Sequence, residues 1–236
     1  MDPLIVDGIY KNFGGVQAVQ GLSFRVAPGE VLGIVGPNGA GKTTTVKMIL
    51  GLLAPTKGTI RLFGQPIDDS AVRQRIGYMP ETPSFYSQLS GEELLRFVGE
   101  LFLLPKKEIA SRSGRLLKSV GLTAAARRPL GTYSKGMLQR ICLAQSLMND
   151  PDLLFLDEPL DGLDPIGRIR MREILLEIKG RGTAIVLSSH ILSDVELMSD
   201  RIAIMDQGKI LRLETVASLV PKGKSLEEVF LETVEA

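Results

Sequence analysis

The chain has no tryptophan, one cysteine, one histidine and only 5% aromatic residues. A single thiol excludes an internal disulfide and cannot by itself assemble a metal centre. Cys142 falls at helical spacing with Leu138 and Met148, which marks it as a buried structural thiol. So few rings leave no base-stacking surface, and a net charge of +1 gives no field for a polyanion, so no nucleic-acid partner is expected. No uninterrupted apolar run exceeds about five residues, far short of the ~20 needed to cross a bilayer. The stretch Met1-Asp2-Pro3-Leu4 has no basic patch leading into an apolar segment, so no secretory signal and a cytosolic location are expected.

What is present is enough for a core. With 44% hydrophobic and 23% charged residues, 236 residues are expected to fold as one domain with room for an inserted lobe.

The sequence is organised around Gly36-Pro37-Asn38-Gly39-Ala40-Gly41-Lys42-Thr43, between the apolar run Val31, Leu32, Ile34, Val35 and a helix-like segment from about Thr44. Glycines let the backbone turn with its N–H groups inward, and the following helix aims its positive end at the same point. This is the pattern of a phosphate cradle, with Lys42 reaching the β- and γ-phosphates and the Thr43 hydroxyl on Mg²⁺.

Residues 4 to 26 carry short apolar or alternating runs, with Gly14-Gly15 and Pro28-Gly29 as turns, and predict antiparallel strands. Phe13 sits at the first turn, where packing and a surface role are both open. After the cradle, the helix stops at Gly51, Thr59 to Phe63 predicts a strand, and Arg75 to Pro80 leads out of the sheet to Glu81.

From Ser90 the texture becomes helical. Ser90 and Glu93 form a capping box, Leu94, Leu95, Val98, Leu101 and Phe102 follow at helical spacing, and a second helix ends at Gly121. A third helix begins after Tyr133-Ser134 and carries Met137, Leu138, Ile141 and Cys142 inward. This block reads as an inserted lobe over residues 86–149, between a core of 1–85 and 150–236; the alternative is a set of ordinary crossover helices.

Strand texture returns with Leu153-Leu154-Phe155-Leu156, a run covered on both faces, which delivers Asp157 and Glu158 at its carboxyl end. Beside a phosphate cradle, the first acid suits Mg²⁺ and the second a general base for water. A helix over 165–179 is expected to face Ile166, Ile169, Ile174 and Ile178 inward. A buried strand over 183–189 then ends on His190, a position at the carboxyl edge that favours function.

These residues, with Ser134-Lys135-Gly136-Met137-Leu138-Gln139-Arg140, Leu156-Asp157-Glu158-Pro159, Asp161-Gly162-Leu163-Asp164 and Ser188-Ser189-His190 in order after the cradle, resemble the ATP-binding cassette (ABC) ATPases along nearly the whole chain. The resemblance implies an α/β fold: a P-loop NTPase (RecA-like) core, an antiparallel β subdomain and an inserted α-helical subdomain. It implies ATP and Mg²⁺, with Phe13 stacking on adenine and residues 36 to 44, Thr44 included, around the phosphates. Thr43 and Asp157 would serve Mg²⁺, Glu158 would activate water, and His190 would contact the γ-phosphate. The stretch Ser134, Lys135, Gly136 and Met137 would close over ATP held by an opposite subunit, near whose site Asp164 also lies.

Three positions depart from the family pattern. Glu81 stands where glutamine is common, and its carboxylate is still a Mg²⁺ ligand. Lys135 and Met137 replace the common glycine and glutamine; Lys135 has two open readings, γ-phosphate or solvent. This combination and the short end after Gly208 resemble the export-type bacterial branch, whose ATPase is a separate chain from its transmembrane permease. The expected assembly is a homodimer or heterodimer of ATPase subunits on the inner face of the membrane, with the permease against a groove bordered by Glu81 to Leu104. Pro80, Pro83, Phe85 and Tyr86 give that loop an apolar, exposed character. The final helix, with a Ser225–Glu228 capping box, is expected to pack on its own chain. A soluble ABC protein and a nucleotide-dependent switch with little turnover remain the alternative functions.

Overall fold

A computed structural model describes residues 1–235. The fold is built on a six-stranded sheet and a smaller three-stranded one. In the large sheet, β3 (Val31–Val35) is flanked by β7 (Ala184–Ser188) and β8 (Arg201–Asp206), all parallel. β6 (Leu153–Asp157) and β5 (Ile76–Met79) extend it on the β7 side, again in parallel. β9 (Lys209–Thr215) closes the other edge as the antiparallel partner of β8. The small sheet is antiparallel throughout, with β1 (Leu4–Phe13) between β2 (Val16–Val26) and β4 (Lys57–Leu62).

The strand pattern follows from which faces are covered. All five residues of β3, β6 and β7 are buried, because each strand has packing on both sides. Alternate residues then divide between two cores. Leu32, Ile34, Phe155, Val186 and Met205 join the small sheet and α1 (Lys42–Ile49), whose Val46, Met48 and Ile49 are buried among them. Val35, Leu154, Leu156, Ile185 and Ile204 join the helices on the opposite face. Gly33 is needed there, since a Cβ would stand 2.5 Å from Val195 Cγ1 on α7 (Leu192–Met198).

The helices between β5 and β6 are α3 (Gly91–Leu101), α4 (Lys106–Ser119) and α5 (Lys135–Ser146); the short α2 (Ser70–Arg73) precedes β5. Ser90 and Glu93 complete both halves of the predicted capping box on α3. Ile141 and Cys142 of α5 are fully buried, and burial pushes the Cys142 thiol up to about 12. Met137 and Leu138, expected inward with them, are half-buried.

α6 (Pro165–Gly180) departs from its expected phase. Ile166 and Ile169 are 62% and 47% exposed, while Met171, Leu175 and Ile178 form the buried stripe. Ile166 and Ile169 lie about 140° and 200° round the helix from Met171, so the stripe that includes Met171 turns both outward. Ile178 faces inward as expected, and Ile174 packs at the edge of the core. After β9 come α8 (Val216–Leu219) and α9 (Leu226–Val234); α9 carries the predicted capping box and buries Leu226 and Val229 on its own chain.

Candidate functional site

The segment from Gly36 to Thr43 joins the carboxyl end of β3 to α1, as its residue pattern requires. A Cβ on Gly36 would stand 2.3 Å from Met205 O, and one on Gly41, at φ +98°, 2.6 Å from Ala18 O. The loop can therefore hold this shape only with glycine at both points. Gly208, at the tip of the β8–β9 hairpin, braces it from outside by donating its N–H to Ala40 O at 3.0 Å. Pro37, Asn38 and Gly39 are exposed, Ala40 is buried, and Thr43 and Thr44 are half-buried in the first turn of α1. α1 starts with no side-chain cap and no acid in its first turn, so its leading amides and dipole favour an anion.

Lys42 lies at that helix start, 8% exposed, with Nζ donating to Gly36 O at 2.7 Å and Pro37 O at 3.2 Å. Burial draws its ammonium below the usual lysine range, and Glu158, Asp157 and Glu81 act against that shift. The carboxylates of two other strands therefore reach the electrostatic surroundings of the cradle lysine.

Asp157 and Glu158 emerge where β6 ends. Asp157 is 2% exposed, stands in register with Ser188 of β7 and accepts a hydrogen bond from the Ser188 hydroxyl through Oδ1. Glu158 adopts φ +51°, a conformation that is uncommon outside glycine, and its N–H donates to Ser188 O at 3.0 Å. Its Oε2 accepts from the His190 backbone N–H at 3.2 Å and lies 2.8 Å from His190 Nδ1. Burial lifts the Glu158 carboxyl above the usual range, partly offset by His190 and Lys42. Glu81 is exposed just past β5.

Among the described residues no three His, Cys, Asp or Glu side chains form a metal cage. The Thr43 hydroxyl and the Asp157 and Glu81 carboxylates are hard oxygen donors, suited to Mg²⁺ when phosphate oxygens complete the set. The glycine cradle and the second Asp157 oxygen, which makes no hydrogen bond among the described residues, fit that group.

Other predicted residues lie apart from this cluster. Phe13 is 47% exposed at the end of β1, with Lys11 Nζ 5.1 Å from its ring centroid. Ser134 caps α5 by accepting from Met137 N–H at 3.3 Å, and Gly136 and Met137 are half-buried. Asp164 caps α6 by accepting from Gly167 N–H at 2.7 Å. Among the described residues no hydrogen bond or ion pair joins Ser134–Met137 to residues 36–44. Lys135, left open between phosphate and solvent, is bonded to Asp161 at 2.7 Å. Sequence reasoning assigned no role to Ser188, Asp161 or Gly208. Asp161 and Ser188 stand in the sequence only as members of the motifs around Asp164 and His190, and Gly208 only as a turn residue, whose turn has φ +46° at Gln207 and +80° at Gly208.

Comparison with known proteins gives the family of the chain. The family model described as ABC transporter matches residues 19–161. An uncharacterized ABC transporter ATP-binding protein of Nostoc sp. is 49% identical over 197 residues, 83% of this chain and 59% of that protein. The Nod factor export ATP-binding protein I of Paraburkholderia xenovorans is 36% identical over 231 residues, 97% of this chain and 74% of that protein. A solved ATP-binding subunit of an ABC transporter superposes with a TM-score of 0.90 at 32% identity, over 98% of this chain and 99% of that one. The matched region spans 59% and 61% of the length of the first two relatives. The chain belongs to the ABC transporter family, as one of its ATP-binding proteins.

Proposed function

We propose that this chain hydrolyses ATP and transmits the resulting closing and opening to a separate membrane permease. The observation that carries this reading is the convergence of three parallel strands on one carboxyl edge, where Lys42, Asp157, and the hydrogen-bonded pair Glu158 and His190 emerge. Lys42 and the amides of the cradle hold the phosphates, and Phe13 offers its exposed ring to adenine. Thr43, Asp157 and Glu81 would hold Mg²⁺, which when bound neutralises charge on the phosphate oxygens. Glu158 Oε accepts the proton of the attacking water; its raised affinity for protons suits it to that task. His190 holds Glu158 through two contacts and would contact the γ-phosphate of bound ATP.

A second copy completes the site. Among the described residues Ser134, Gly136, Met137 and Asp164 make no bond to the cradle of their own chain, which supports their acting on the cradle of a partner, either another copy or a related subunit. Residues 86–149 act as the lobe that presents them. The permease docks against the groove between core and lobe bordered by Glu81 to Leu104; within the lobe, α3 of that segment also forms a cavity of about 740 Å³ with α4, lined by Arg96, Ile109, Ser113, Leu117 and Arg127. Tyr86 is 68% exposed, whereas Phe85 turns partly into the core. Among the described residues no helix is long and apolar enough to cross a membrane, which is in keeping with a peripheral subunit on the inner face. Export is the direction favoured by the Nod factor relative's name.

The test is phosphate release from ATP by the purified chain with and without Mg²⁺. Mg²⁺-dependent turnover is expected. Nucleotide binding without phosphate release, at any protein concentration and with the co-expressed permease present, would replace the motor with a switch.

A further inference from the structure

The side chain of Lys135 runs across the loop that follows β6. Its Nζ bonds Asp161 Oδ2 at 2.7 Å, and its stem passes so close over Gly162 that a Cβ there would stand 2.3 Å from Cε and Nζ. Gly162 also has φ +68°, a backbone conformation that favours glycine. One residue on, Gly136 faces Leu163, whose Cδ2 would lie 3.3 Å from an added Cβ. The start of α5 and the loop 161–163 are thus in contact at two successive points.

The loop is anchored at both of its ends. Asp161 N–H donates to Glu158 O at 3.1 Å, which ties the ion pair to the backbone of the proposed base. Leu163 O accepts from Arg168 Nε at 3.3 Å, and Arg168 faces Asp194 at 3.9 Å, on the helix that follows His190. Lys135 and Asp161 are 62% and 41% exposed at their side chains, a degree at which an ion pair adds little to global stability. What the pair can do is fix geometry, because it joins segments 26 residues apart with one short, directed contact.

We propose that Lys135 and Asp161 form a positioning pair that holds the start of α5 in register with the loop carrying Glu158, so that the segment presented to a partner's nucleotide and the chain's own base move as one body. In this arrangement Lys135 is occupied by Asp161 rather than by phosphate. The charged contact also holds the Asp161 carboxyl below the usual aspartate range, with His190 a smaller contributor. The proposal rests on the hydrolytic reading above for its consequence in turnover, but the contact itself can be measured without nucleotide.

The experiment compares Lys135→Met, Asp161→Asn, the double variant and the exchanged pair Lys135→Asp/Asp161→Lys in the full chain. Without nucleotide, Lys135→Met is expected to raise the Asp161 carboxyl titration seen by NMR and to speed amide exchange at Gly162 and Leu163. With Mg²⁺ and ATP, each single variant is expected to lower kcat by about 5- to 10-fold, the double to fall no further, and the exchanged pair to recover most of the loss. Multiplying losses in the double variant with no recovery on exchange would show that Lys135 acts on phosphate directly and overturn the pair. Unchanged exchange and titration in Lys135→Met would overturn it too. If the unmodified chain releases no phosphate, the hydrolytic reading fails by itself, and the two nucleotide-free measurements still decide the contact.

Discussion

Replacing Glu158 by glutamine removes a base while preserving shape, so it separates chemistry from structure. The amide oxygen can still accept from His190 N–H and face His190 Nδ1, the contacts that Oε2 makes at 3.2 and 2.8 Å. Fold and ATP binding should therefore persist. Loss of one general base should lower single-turnover hydrolysis by about 10²–10⁴, or about 2.7–5.4 kcal/mol of barrier. A second readout follows from burial. The folded-state affinity of Glu158 for its proton is raised, so its stabilising contribution is complete below the ordinary glutamate range and is lost as pH rises through the raised value. The neutral amide of Glu158→Gln carries no such loss. The variant should melt above the unmodified chain at neutral pH, and the difference should vanish at pH below the ordinary carboxylate range. The acid limb of kcat/KM in the unmodified chain should likewise lie above that range. The assays are single-turnover phosphate release, nucleotide binding and thermal melting over pH. Hydrolysis within a few-fold of the unmodified rate would refute the role of the base. A lower melting point at neutral pH would refute the electrostatic account of its site.

Lys42→Ala should lose ATP affinity itself, because the contact removed is made in the ground state; equilibrium binding that survives intact would contradict the cradle geometry. Gly41→Ala forces a Cβ against Ala18 O at φ +98°, which should cost about 1–3 kcal/mol in denaturant melts and weaken nucleotide binding. Photo-crosslinking from Tyr86 to a co-expressed permease should exceed that from Lys209 on the opposite edge of the sheet, and equal yields would count against the docking face.

Much of this fold is written in local pattern. The unbroken run from Leu153 to Leu156 predicts a strand packed on both faces, and the Ser90–Glu93 and Ser225–Glu228 spacings predict helix starts that the structure has. Pattern misleads where a helix has apolar residues on two faces. The isoleucines of α6 suggest a phase that Met171 and Leu175 override, because the buried stripe through these two turns Ile166 and Ile169 to the far side of the helix. Similarly, Phe85 and Tyr86 are alike in sequence, yet one turns toward the core and the other toward solvent. The cradle residues are contiguous and could be named from sequence. The support given by Gly208 and Ser188, and the capture of Lys135 by Asp161, join positions far apart in the chain and emerge only from the sheet order and from the packing of α5 on the loop after β6.

The central claim is that one complete site needs the cradle of one subunit and the start of α5 from another. Two inactive chains test it: Lys42→Ala, which damages the cradle, and Ser134→Arg, which blocks the start of α5. Each alone should be inactive. In a mixed head-to-tail pair both defects fall in one site and leave the other whole, so an equimolar mixture should recover about a quarter of the unmodified rate if pairs form at random. Recovered phosphate release in the mixture is the predicted result. A mixture that forms mixed pairs and stays as inactive as its components would show that a shared site is not how this protein works.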